Sequence, residues 1–165
     1  AAELFNSFGF QVSGWSKSAK QITNVNCYSG EQGLTEIVQS SDYLICLLPL
    51  TSETKGILNL SLFKRMPKDS VLINVARGEH LIEQDLLNAL EQGLIVTAYL
   101  DVFEQEPLPK EHPFGAHPQI HITPHISAVT SAETAVEQIV ENYLSVKNLG
   151  STKQMKHLID KNKGY

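Results

Sequence analysis

The feature that most constrains this chain is its alternation of short apolar runs with segments of helical spacing. Residues 42–48, 70–75, 94–100 and 120–123 are apolar runs of strand length. Residues 60–66, stopped by Pro67, and residues 83–92, with Leu86, Leu87 and Leu90 on one face and Gly93 at the end, read as helices. Residues 10–15 alternate as an earlier strand, and residues 34–40 read as a short helix. A long helix is predicted over 131–148, where Ala132, Ala135, Val136, Ile139, Val140 and Tyr143 recur at steps of three and four. Strand and helix units of this length predict an α/β fold, with a parallel sheet wound by helices on both faces. No internal repeat or low-complexity segment interrupts the pattern.

In such sheets ligands bind outside the carboxyl ends of the strands, so the residues that follow each apolar run carry the functional information. The run at 70–75 leads to Ala76-Arg77-Gly78, which places a cation at a strand's carboxyl end. The planar fork of arginine suits a carboxylate or a phosphate. By itself Arg77 fits equally well an arginine paired with a surface acid. The first strand runs into Trp15-Ser16-Lys17-Ser18, with Lys20 close by. In a dinucleotide-binding sheet this position meets the adenosine ribose; an acid there favours NAD, whereas a serine and a lysine suit the extra 2′-phosphate of NADP. The same residues would also make an ordinary polar turn. The run at 42–48 ends in Leu48-Pro49-Leu50-Thr51-Ser52-Glu53-Thr54, whose hydroxyls and backbone groups suit a ribose or a nicotinamide.

Two further runs end at Asp101, which leads to Glu104-Gln105-Glu106-Pro107, and at Thr123-Pro124-His125-Ile126-Ser127. An arginine, several acids and a histidine therefore leave one edge of the sheet. Interconversion of a 2-keto and a 2-hydroxy acid needs a cation for the carboxylate and a proton donor for the oxygen that gains charge. Arg77 and His125 are of those types, and a carboxylate such as Glu106 beside the histidine favours imidazolium. A lone histidine after a strand is more often structural, and the chain has six; the joint pattern is what points to chemistry.

Charge and composition exclude other classes. The 165 residues are 42% hydrophobic and 19% charged, enough for one ordinary core. A net charge of -5 and a pI near 5.6 provide no basic stripe for nucleic acid. The most apolar stretch, 43–50, falls far short of the roughly 20 residues that cross a bilayer. Cys27 and Cys46 are the two cysteines, one of them inside a buried run, which suits reduced thiols and a cytoplasmic setting. No metal site is expected.

These residues carry a resemblance. Asn74-Val75-Ala76-Arg77-Gly78, Asp101-Val102-Phe103-Glu104-Gln105-Glu106-Pro107 and Thr123-Pro124-His125-Ile126-Ser127 resemble the three signatures of the D-isomer-specific 2-hydroxyacid dehydrogenases. Glu106 follows Arg77 by 29 positions and precedes His125 by 19, in agreement with the family. The resemblance implies that Arg77 binds the substrate carboxylate and carbonyl, that His125 is the acid/base with Glu106 as its partner, and that Asp101 holds the nicotinamide carboxamide. It further implies a Rossmann-like fold whose cofactor contacts come from Trp15, Ser16, Lys17, Leu48, Pro49, Thr54, Val75, Ala76, Arg77, Asp101, His125 and Ser127. Trp15-Ser16-Lys17-Ser18, Ala76-Arg77-Gly78-Glu79-His80 and Gly164-Tyr165 are similar to the glyoxylate/hydroxypyruvate reductase A group. That likeness implies NADPH as the preferred cofactor, with NAD as the other candidate.

The family's Gly-x-Gly-x-x-Gly loop does not occur in these residues. Residues 1–9 read as the second half of a helix. The expectation is therefore a carboxy-terminal half lacking the first strand and glycine loop. Residues 1–128 would form a partial NAD(P)-binding domain, and residues 129–165, including a lysine-bearing tail, would pack back on a missing substrate domain. Such a piece is expected to be inactive alone, to need the amino-terminal half of the same enzyme, and to form a homodimer when complete. A nucleotide-sensing protein like the family's corepressors, or a remnant without turnover, fits the same three residues.

Overall fold

The structure is a computed structural model that describes residues 1–128 and 131–149 together with positions 152, 155, 156 and 158. The rest of the expected lysine-bearing tail lies outside the described residues. The chain divides into two compact units, Ala1–Pro124 and His125–Tyr165.

The first unit opens with helix α1 (Ala2–Ser7), and the chain turns away from it at Gly9, φ 86°. The Phe10 amide then donates to the Phe5 carbonyl (3.2 Å), and the two rings meet edge to face at 5.9 Å. This holds Phe10 against the helix end, so strand β1 covers Ser13–Ser16, shorter than the sequence predicts. It pairs in parallel with β2 (Asn26–Ser29), Trp15 lying opposite Tyr28. The sequence gives little warning of β2, because Asn-Cys-Tyr-Ser has no apolar run. Helix α2 (Gly30–Gln39) follows directly, and Gly33 rests against Tyr28, where an added Cβ would lie 3.1 Å from the Tyr28 Cβ.

A second parallel sheet has the order β3 (Tyr43–Cys46), β4 (Val71–Asn74), β5 (Thr97–Leu100), β6 (Ile120–Ile122). Its register places Leu44, Leu72, Ala98 and Ile120 in one row, and Cys46, Asn74, Leu100 and Ile122 in the next on the same face. Most of this face is buried against α3 (Leu60–Phe63) and α4 (Glu83–Glu91), through Leu62, Phe63, Leu86 and Leu90. The opposite face is more open: Tyr43 is 59% and Tyr99 46% exposed, and the Tyr99 ring stacks on His121 at 4.7 Å. Asn59 caps α3 by accepting from the Leu62 amide (3.1 Å), and Asp85 of α4 accepts from the Leu60 amide (2.9 Å). Two orphan amides at the start of α3 are thereby satisfied.

Short helix α5 (Pro113–Ala116) was not foreseen from periodicity. His112 Nδ1 accepts from the Phe114 amide (3.3 Å), which leaves Nε2 to carry the proton and donate to Glu83 (3.1 Å). The buried ring of Phe114 anchors this turn in the core.

In the second unit, helix α6 (Ala132–Leu149) begins one residue after the expected start. Ser131 accepts from the Ala135 amide through its carbonyl (3.1 Å). Val136, Ile139, Val140 and Tyr143 form an exposed apolar stripe along it. Asn142 accepts from the Lys156 amide (2.9 Å), and the Lys156 ammonium pairs with Glu141 at 2.7 Å.

Candidate active site

The site is built where β4 and β5 stop. Asn74, the last residue of β4, is fully buried. Its side-chain oxygen accepts from the Ala76 amide (3.2 Å) and its side-chain nitrogen donates to the Arg77 carbonyl (3.0 Å). One amide group thus folds the chain out of the strand and fixes the turn that presents Arg77. Arg77 itself is extended (φ −145°, ψ 150°) and exposed, and its Nη1 donates to the Ala76 carbonyl at 2.6 Å.

Gly78 determines what this turn packs against. A Cβ there would stand 1.9 Å from the Phe103 carbonyl carbon and 2.2 Å from the Glu104 nitrogen, so only glycine admits the 103–104 peptide. The loop after β5 is thereby pressed against the arginine turn. In that loop the Phe103 amide donates to Glu106 Oε1 (3.0 Å), which curls the glutamate back over its own backbone. Asp101 is buried; its amide donates to the Asn74 carbonyl (3.0 Å), and its carboxylate accepts from the Thr123 hydroxyl at the end of β6.

His80 ties this corner to the exit of β3. Its ring is fully buried, with Nδ1 3.1 Å from the Arg77 carbonyl and Nε2 3.3 Å from the Pro49 carbonyl. The loop after Pro49 closes on itself: Thr54 donates to the Pro49 carbonyl (2.7 Å) and accepts from the Thr51 amide (2.8 Å). Leu48 is half-buried and packs against the core.

At the end of β1, Trp15 donates through its indole N–H to the Gly30 carbonyl (2.8 Å), and Ser16 donates to the Ser18 carbonyl (2.7 Å). Lys17 reaches across to Glu53, 2.6 Å away. The donor set is that expected around a nucleotide. A hydroxyl and a cation lie at the first strand's end, and a buried carboxylate and an arginine lie at the ends of β4 and β5. Side chains of these types fit NADP.

The first unit thus brings together Arg77, Asp101 and Glu106 through Gly78, and links them to Pro49 and Thr54 through His80. His125 belongs to the second unit, which it opens in a left-handed conformation (φ 52°), and Ser127 follows it, exposed. Sequence reasoning missed Asn74, Gly78 and His80 as the residues that shape the site. The available signals were an amide residue inside an apolar run and a glycine directly after the arginine. Cys46, at the end of β3, is buried, and burial pushes its thiol above the ordinary 9.0.

A parallel α/β sheet with this edge defines a Rossmann-like dinucleotide-binding domain. The chain belongs to the D-isomer specific 2-hydroxyacid dehydrogenase family, whose NAD binding domain matches residues 1–127. Among curated relatives it is 45% identical over 164 residues to glyoxylate/hydroxypyruvate reductase A of Yersinia enterocolitica, covering 99% of this chain and 51% of that protein. It is 50% identical over 141 residues to the protein of the same name from Photorhabdus laumondii, covering 86% of this chain and 45% of that one. The crystal structure of a D-isomer specific 2-hydroxyacid dehydrogenase from Xanthobacter autotrophicus Py2 in complex with NADPH and MES superposes with a TM-score of 0.93 at 36% identity, covering 99% of this chain and 66% of that one. An NADPH-dependent glyoxylate/hydroxypyruvate reductase from Sinorhizobium meliloti in complex with NADP and sulfate gives 0.91 at 34%, covering 99% and 52%. The chain spans about half the length of the curated relatives it matches.

Proposed function

We propose that this chain is the cofactor-binding half of a cytoplasmic, NADPH-preferring reductase of small 2-keto acids such as glyoxylate and hydroxypyruvate. The observation that carries this reading is the Arg77 turn, locked by Gly78 against the Phe103–Glu104 peptide beside buried Asp101. The guanidinium of Arg77 binds the substrate carboxylate and orients the keto group. His125 delivers a proton to the keto oxygen, and Glu106, 19 positions before it, is its carboxylate partner. Asp101 accepts from the carboxamide of the nicotinamide, while Ser16 and Lys17 receive the 2′-phosphate. Bound NADPH supplies the hydride, and NADH serves less well. Relatives named glyoxylate/hydroxypyruvate reductase A and neighbours solved with NADPH or NADP support the substrate class and the cofactor.

The partners proposed are the amino-terminal half of the enzyme and, in the complete protein, a second copy. Their support is the shared length with relatives and the exposed apolar stripe of α6. Among the described residues no helix is long and apolar enough to cross a membrane.

The test is a chimera in which residues 1–165 replace the matching half of the Yersinia enterocolitica relative. It is expected to reduce glyoxylate with NADPH, whereas the 165 residues alone bind NADPH weakly and do not turn over. In the chimera, Arg77→Ala removes a charge-assisted pair worth roughly 2 to 5 kcal/mol, and Arg77→Lys recovers only part of that loss, lacking the bidentate fork. His125→Ala lowers turnover about 100-fold with cofactor affinity unchanged. A folded chimera that binds NADPH but reduces no keto acid overturns the proposal.

A further inference from the structure

The cation at the end of β1 already has a counter-charge. Lys17 Nζ lies 2.6 Å from Glu53 Oε2 and 2.7 Å from Oε1, so both carboxylate oxygens face the ammonium. Glu53 is held out by a turn rather than a helix. The Lys55 amide donates to the Thr51 carbonyl (2.9 Å), and the Thr51 and Thr54 hydroxyls lie 3.1 Å apart inside the loop. The two side chains are 65% and 63% exposed, and a pair in that setting contributes little to folding. Its position is more informative, because it spans the carboxyl ends of β1 and β3, where the nucleotide is placed.

We infer that Glu53 is a specificity-determining residue: it holds Lys17 and opposes any nucleotide that brings a phosphate to that lysine. The inference rests on the proposed function, in which Lys17 receives the 2′-phosphate. A phosphate hydrogen-bonded to the ammonium stands close to the Glu53 carboxylate, since the ammonium is within 2.7 Å of both its oxygens. Phosphate and carboxylate repel at that range, and Lys17 must divide its donors between them. A nucleotide with a free 2′-hydroxyl meets no such opposition. Glu53 therefore narrows the preference for the phosphorylated cofactor that Ser16 and Lys17 create, and lets the unphosphorylated one compete.

The experiment titrates the purified chimera described above with adenosine 2′,5′-bisphosphate and, as control, with adenosine 5′-monophosphate, following binding by titration calorimetry. Glu53→Gln keeps the side chain's shape and removes its charge. It is expected to tighten the bisphosphate about 3- to 10-fold at low salt, to leave the monophosphate unchanged, and to lose the gain near 0.5 M salt, where the screening length is only a few ångströms. Lys17→Met is expected to weaken the bisphosphate alone. If Lys17→Met weakens it while Glu53→Gln changes nothing, or tightens both ligands equally, this inference falls and the cofactor reading stands. If Lys17→Met leaves bisphosphate binding unchanged, or the unmodified chimera binds no bisphosphate, the cofactor reading falls and the inference with it.

Discussion

At the scale of single residues, the site depends on what Gly78 lacks. A methyl group there cannot coexist with the Phe103 carbonyl carbon 1.9 Å away, and the obstacle is backbone that cannot rotate aside. Gly78→Ala is expected to destabilise by at least the 1 to 3 kcal/mol typical of overpacking, about 2 to 4 °C in melting temperature per kcal/mol for a chain of this size. A melting temperature unchanged by the substitution would show that the turn is free to move. Cys46 gives a second expectation, in pH. Its thiol is raised above 9.0 by burial, so above that value the unfolded chain ionises first and the native state holds the extra proton. The thiol's contribution to stability is thus complete below about pH 9 and is lost as pH rises through the folded value. Urea midpoints measured between pH 8 and 10.5 should fall more steeply for the natural protein than for Cys46→Ala. Parallel curves would remove the thiol as the cause.

At the scale of elements, the corner is one arrangement shared by three loops. His80 sits between the Arg77 and Pro49 carbonyls with no exposure. His80→Ala leaves a cavity where a fully buried ring stood and removes its hydrogen bonding between the two loops, so its loss in a denaturant titration should exceed that of exposed His121→Ala. Equal losses would mean the ring does not hold the two loops together. The sequence made Arg77, Asp101 and Glu106 legible because apolar runs of strand length end where chain chemistry begins. It made the four-stranded sheet legible for the same reason. Strand β2 was not legible, since Asn26 and Ser29 face outward and the strand is held by its backbone pairing with β1 and by Tyr28 against Gly33. Asn74 and His80 were not legible as shaping residues because their partners are backbone carbonyls and amides, which carry no sequence signature. Gly78 was visible as a glycine, but the peptide it admits lies 25 positions away.

At the scale of the whole molecule, the backbone pairing falls into two sheets of unequal burial. In β4, Leu72 and Asn74 are fully buried, whereas no residue of β1 or β2 is. The adenosine end of the proposed cofactor is thus served by the smaller, wetter sheet and the nicotinamide end by the drier one. Local opening follows buried contact, so the two sheets should open as separate cooperative units. Amide hydrogen exchange would register this as weaker protection over Ser13–Ser16 and Asn26–Ser29 than over Val71–Asn74 and Thr97–Leu100; uniform protection would mean a single unit. A ligand that touches both sheets then lowers the opening of the softer one in proportion to its own affinity. Slower exchange in β1 and β2 would therefore serve as a binding isotherm, read from the polypeptide rather than from the nucleotide.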